Sequence, residues 1–220
     1  MLAIDQLMVM VAKREPFALS RFNDGEMRAI AQPGCVVARG DQVVNTSLSN
    51  SLCMALQVVE HNFWRGLPCS ACFPEWRLLA DKLVGAEPKY GTLAVVQTNR
   101  NLQRWKTEFP AAAKGRRVAW VSGSDQNITG LPLDIRRKID LPTKNCWAVH
   151  SEMVDRCDEF DEGSLVMLSC GPMATVLACE WFLSRPDCTF IDIGSTYDPE
   201  TRGVSHRCHT GKLPPCKECN

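Results

Sequence analysis

The sequence predicts an α/β protein: one Rossmann-like domain whose mainly parallel sheet is covered by helices on both faces. Three observations lead there. Short apolar runs alternate with helical stripes at least five times along the chain. The later runs, such as Leu165–Ser169 and residues 189–193, are apolar at nearly every position, as strands buried on both faces must be. Polar or glycine-rich turns follow nearly every run, on what has to be the same edge of the sheet, where such folds bind ligands.

The elements justify this in order. Leu2, Ile4, Leu7, Met8 and Val11 form a helical stripe, without the basic start and long apolar centre of a signal peptide. Residues 17–22 read as a buried strand, broken by Asn23-Asp24-Gly25, which is strong turn chemistry. From Glu26 onward, Met27, Ile30 and Ala31 mark the apolar side of a short helix. Residues 36–38 are too few to type. Asn45 offers an N-cap to a stripe of Leu48, Leu52, Leu56, Val59 and then Phe63. A proline-bracketed loop, residues 66–74, precedes a helix over 75–84 with Trp76, Leu79 and Leu83 inward. Residues 93–96 predict a strand and the next segment a helix through Trp105. Residues 117–121 are a strand followed by the polar turn 122–127, and Cys146–Val149 reads as a short strand ending at His150. Leu165–Ser169 is a strand, Cys170-Gly171-Pro172 opens a helix over 173–183, and 189–193 is the last strand. Trp105, Trp120, Trp147 and Trp181 fall at apolar periodic positions and are assigned to the core. The chain divides into a body, residues 1–200, and a Cys- and His-rich tail, residues 201–220, expected to pack back on it.

Composition bounds the class. A chain of 220 residues is long enough for one sizeable core. Lys plus Arg and Asp plus Glu are 25 each, a balance that disfavours a general grip on nucleic acid and leaves a modified DNA base open as a partner. No apolar run approaches the ~20 residues a membrane helix needs. Together these predict a cytoplasmic protein.

Asp24 and Glu26 stand one residue apart at the carboxyl end of the first strand. Two such carboxylates can face a divalent cation, which takes hard oxygen ligands. They can equally cap the following helix and favour its dipole. Farther along, the turn at Ser122-Gly123-Ser124-Asp125 and the helix start at Gly171-Pro172 offer backbone N–H groups to an anion.

The string Arg21-Phe22-Asn23-Asp24-Gly25-Glu26 resembles the Arg-Phe-Gly-Asp-Gly-Glu signature of the GT-D-type glycosyltransferases, a family first catalogued as a domain of unknown function. Asn23 replaces the usual glycine, and Asn tolerates the left-handed backbone such a turn would use. Residues 169–174 and 191–195 are similar to later blocks of that family, so the resemblance spans roughly 17–198 in three pieces. It implies metal-dependent transfer of a sugar from a nucleotide sugar, a UDP-sugar first among the donors, to a hydroxyl acceptor. It implies Mn²⁺ or Mg²⁺ on Asp24 and Glu26, with Arg21 and a helix N-terminus assisting the departing diphosphate. Ser124, Gly171, Asp192 and Ser195 are the further donor-binding residues, and Asp125, Asp192 and Asp198 are open choices for the base, Asp125 first. Other readings are a methyltransferase-like enzyme and a zinc-stabilised binding module without activity.

Twelve cysteines form a second pattern. Cys69-x-x-Cys72 and Cys216-x-x-Cys219 are paired knuckles, the recipe for a four-cysteine structural zinc site in a reducing compartment, although their separation is far longer than in a compact ribbon. Unligated thiols and redox chemistry are the competing readings, and His206, Cys208 and His209 are alternative ligands. Cys53, Cys157, Cys170 and Cys179 read as core residues.

Overall fold

The computed structural model describes residues 4–38, 41–84, 90–92 and 99–203. The strand expected over 93–96 and most of the tail, with Cys216 and Cys219, lie outside the described residues. The helices are α1 (Ile4–Ala12), α2 (Asp24–Ala31), α3 (Thr46–Gln57), α4 (Pro74–Val84), α5 (Asn99–Ala112), α6 (His150–Val154), α7 (Pro172–Ser184) and α8 (Asp198–Arg202). The strands are β1 (Ala18–Arg21), β2 (Val36–Val37), β3 (Gln42–Val43), β4 (Phe63–Leu67), β5 (Tyr90–Thr92), β6 (Val118–Gly123), β7 (Ile135–Leu141), β8 (Leu165–Ser169) and β9 (Thr189–Asp192).

Seven of these strands form one sheet in the order β5-β4-β1-β9-β8-β6-β7, and every pairing in it is parallel. β2 and β3 make a separate antiparallel ribbon. Because side chains alternate along a strand, each face builds its own core. Ala18, Phe22, Val121, Leu168 and Phe190 join α2, α3 and α7 on one side, while Phe17, Leu19, Trp120, Met167 and Ile191 join α1 and α5 on the other. The four tryptophans are buried as expected. Among the described residues no helix is long and apolar enough to cross a membrane.

Helix α7 is the central packing element: apolar on all sides, it buries ten of its thirteen residues. Gly171 precedes it at φ 61°, a conformation that favours glycine, and Pro172 takes the first turn, where a missing N–H costs nothing.

Three expectations are corrected. The stripe from Leu48 to Phe63 is not one helix: α3 ends at Gln57, Val58 is extended, and Phe63 opens β4. Cys146–Val149 is a 3₁₀ turn, since a four-residue apolar run does not distinguish strand from helix. Asn23 is extended at φ −102°, so replacing the family's glycine by Asn asks nothing of the left-handed region.

Candidate active site

All seven strands point their carboxyl ends to one edge, and the turns there enclose a cavity of about 380 Å³. One wall comes from the end of β1 and the start of α2: Arg21, Asp24, Gly25 and Glu26. A second is Ser169, Cys170, Gly171 and Pro172, where β8 passes into α7. A third is Gly194, Ser195, Asp198 and Arg202 after β9. Gly123, Gln126, Pro142, Thr143 and Cys146 close the far side, and Ala38, Asp41 and Gln42 of the β2–β3 ribbon cover it.

Arg21 is the central charge. It is 3% exposed, and its Nε and Nη1 have no hydrogen-bond partner although they are buried. The nearest acid is Asp192, with 3.8 Å between Nε and Oδ1, too long for a hydrogen bond. Gly194, at φ 49°, lies so close above the guanidinium that a Cβ there would overlap it. Asp192 is itself 1% exposed and forms no part of the lining. Its Oδ1 accepts the Gly194 N–H at 3.0 Å, and the Thr175 hydroxyl lies 3.0 Å from its Oδ2. Burial raises its carboxyl above the ordinary range, and Arg21 opposes the shift.

Glu26 and Asp24 differ in setting. Glu26 is 7% exposed and accepts the Asn23 N–H at 2.9 Å, so the capping role and the place in the pocket coexist in one side chain. Its carboxyl is pushed up by burial first, against the pull of Arg21. Asp24 is exposed at the rim. Among the described residues no group of three or more His, Cys, Asp or Glu is placed to hold a metal. Two carboxylates nevertheless suit Mn²⁺ or Mg²⁺, which commonly take one or two protein carboxylates and complete the shell with water and substrate phosphate.

The other residues singled out from sequence divide. Gly171 and Ser195 line the cavity, and the Ser195 hydroxyl is buried without a partner. Ser124 and Asp125 are outside the lining. Asp125 forms an ion pair with Arg202, 3.0 Å from Oδ2 to Nε. Cys170, read as core, is buried but also reaches the cavity, where the Cys146 thiol donates to its carbonyl at 3.1 Å. Cys69 is buried and Cys72 exposed in the loop between β4 and α4. Sequence reasoning did not single out Gln126, inside the polar turn 122–127, or Asp41 and Gln42, just before and at the start of the short strand β3, and no spacing marks them.

No family profile and no curated protein matches the chain. Solved structures do. The chain is similar to a selenomethionine-substituted domain of unknown function 1792, with a TM-score of 0.70 and 17% identity over 90% of this chain and 80% of that one. It is similar to a second structure of that domain, described as having a distinct glycosyltransferase fold, at 0.69 and 17% over the same shares. A third, described as a new glycosyltransferase from Streptococcus sanguinis, aligns at 0.65 and 18% over 93% of this chain and 85% of that one. The class defined is therefore the GT-D-type α/β fold. Of these three neighbours, one is described as having a glycosyltransferase fold and another as a glycosyltransferase.

Proposed function

We propose that the protein is a metal-dependent glycosyltransferase that moves a sugar from a nucleotide sugar, first a UDP-sugar, to a hydroxyl acceptor. The observation that carries this reading is Arg21: a buried guanidinium in the wall of a cavity, with two N–H-bearing nitrogens left unpaired. Leaving charged donors unpaired in a protein interior is costly, and a diphosphate oxygen is the acceptor that suits a guanidinium fork. The free N-terminus of α7 faces the same cavity and favours the same charge.

The charge of the lining supports a cation. Asp24, Glu26, Asp41 and Asp198 stand against Arg21 and Arg202. A dianionic diphosphate ester enters such a cavity favourably only with positive charge beside it. Asp24 and the second oxygen of Glu26 would hold that ion. A bound ion supplies Lewis-acid neutralisation of charge on the departing diphosphate. Arg21 orients the diphosphate. Asp198 is assigned as the base for the acceptor hydroxyl in place of Asp125, because Asp198 is in the lining and Asp125 is not. A structural zinc shared by Cys69, Cys72, Cys216 and Cys219, holding the tail to the body in a cytoplasmic setting, is a separate part of the proposal. Metal analysis of protein purified without chelator checks it, with about one zinc per chain expected.

The test is a panel of nucleotide sugars incubated with Mn²⁺, reading release of nucleoside diphosphate with and without acceptor alcohols. One donor should be consumed, and chelation should stop it. A panel left intact by active-site-loaded protein counts against the reading.

A further inference from the structure

A chain of hydrogen bonds, buried at Gln126 and half-buried at Gly194, runs from the sheet core to the backbone that covers Arg21, and none of its members belongs to the signature motif. It begins at Trp120, whose indole N–H donates to Gln126 Oε1 at 3.3 Å. Gln126 is 3% exposed, and its amide donates to Ser169 Oγ at 2.9 Å. The Ser169 hydroxyl in turn donates to the Gly194 carbonyl at 2.7 Å. The Gly194 N–H is held by Asp192 Oδ1 at 3.0 Å. The glycine is thus gripped at both ends, in a conformation glycine favours, close against the Nη1, Cζ and Nη2 atoms of Arg21.

We propose that Ser169 and Gln126 are positioning residues that act through Gly194 to fix the plane of Arg21. Arg21 has no hydrogen bond of its own to set its orientation: Nε and Nη1 are unpaired, and Asp192 stands at 3.8 Å. Charge attraction at that distance holds the group in place without choosing its rotation. A backbone in close contact with the guanidinium does choose it, since a planar cation rotates only by moving what it touches. The Gly194 backbone makes that contact, close enough that a Cβ on it would overlap Nη1, Cζ and Nη2, and Ser169 is what keeps its carbonyl from turning. Pre-orienting the fork removes an ordering cost when an anion arrives, so the effect appears as ligand affinity rather than as fold stability.

The inference rests on the proposed role of Arg21 toward a diphosphate, and a double-mutant cycle separates the two claims. UDP and GDP, each with Mn²⁺, are titrated by calorimetry into the wild type, Ser169→Ala, Arg21→Lys and the double variant. Ser169→Ala should weaken nucleotide binding about tenfold in the wild type and less than about twofold beside Arg21→Lys, where no planar group remains to orient. Gln126→Met, which breaks the same chain one bond farther away, should weaken it about threefold and stands in if Ser169→Ala does not fold. An equal loss in both backgrounds shows Ser169 acting independently of Arg21 and overturns the inference, as does no loss in the wild type. Unchanged affinity in Arg21→Lys instead overturns the reading of the site itself, and the inference with it.

Discussion

Two arginines, Arg21 and Arg116, are each 3% exposed, and they lie at opposite edges of the same sheet. Arg116, just before β6, is tied to the amino edge. Its Nη2 donates to Gly163 O at 2.9 Å, Thr189 Oγ1 at 3.0 Å and Ser164 O at 3.4 Å, and its Nη1 to Val11 O at 3.5 Å. Only Nε is left over. Burial without a facing carboxylate pulls its pKa down to about 10, with Arg14 adding to the shift. Arg21, at the carboxyl edge, has acids nearby and unmade hydrogen bonds. The first arginine fastens α1, β8 and β9 together. The second is balanced in charge but unsatisfied in hydrogen bonding, which is the condition of a group awaiting a ligand. Buried cations of one type therefore serve structure or function according to whether their donors are spent.

The largest effects should fall beside Arg21. Asp24→Asn and Glu26→Gln should each lower metal-dependent transfer by on the order of a thousandfold, read as initial rate. Gln at 26 keeps an acceptor for the Asn23 N–H, so the melting temperature should stay within a few degrees. Loss of the fold with activity per folded molecule unchanged would return these residues to a capping role alone.

Exchanging the two arginines for lysine breaks the comparison in opposite directions. Arg21→Lys should cost about a hundredfold in nucleoside diphosphate affinity, because a point charge replaces a fork, with little change in stability. Arg116→Lys should cost about 2 kcal/mol in denaturant unfolding, since several carbonyls and a hydroxyl lose their donor, with binding unchanged. If both variants lose binding alike, the division between the edges is wrong.

The smallest effect is in pH. The Glu26 and Asp192 carboxyls are raised from ordinary values of 4.5 and 3.8, burial being the largest cause of each. Each holds its proton more tightly in the folded chain than in the unfolded one. The stability so gained is complete below the unfolded values and is lost as pH rises through the folded ones. The melting temperature of Glu26→Gln relative to wild type, measured without metal, should therefore climb with pH from about 4.5 upward. A constant difference across the range contradicts the burial of that charge.

Much of the carboxyl edge was legible because its turns carry chemistry in consecutive residues. β1 with its Asp24 and Glu26, β8 with Gly171-Pro172, and β9 were all readable, and their apolar runs placed them inside a parallel sheet. Two sheet strands left weaker traces. β7 contains Arg136, Arg137 and Lys138, as suits the edge position it takes beyond β6, and so lacks an apolar run. β4 carries Arg65 and Gly66, and Phe63 lies four residues after Val59, which extended the helical stripe by coincidence. Within the site, Asp192 looked like a ligand-facing acid at a strand end. The strand's alternation turns it toward α7 and Thr175, and only the packed structure shows that. Gln126 and Ser169 contribute through partners 43 residues apart, a relation no local pattern encodes.

The central claim is that the carboxyl-edge cavity takes a diphosphate through Arg21 and a cation together. Calorimetric titration of UDP and GDP into the wild type, once with Mn²⁺ and once with EDTA, tests it most directly. At least one nucleotide should bind with metal and lose about a hundredfold or more in affinity without it. Equal affinity in EDTA, or no binding of either nucleotide in the presence of metal, would contradict the claim.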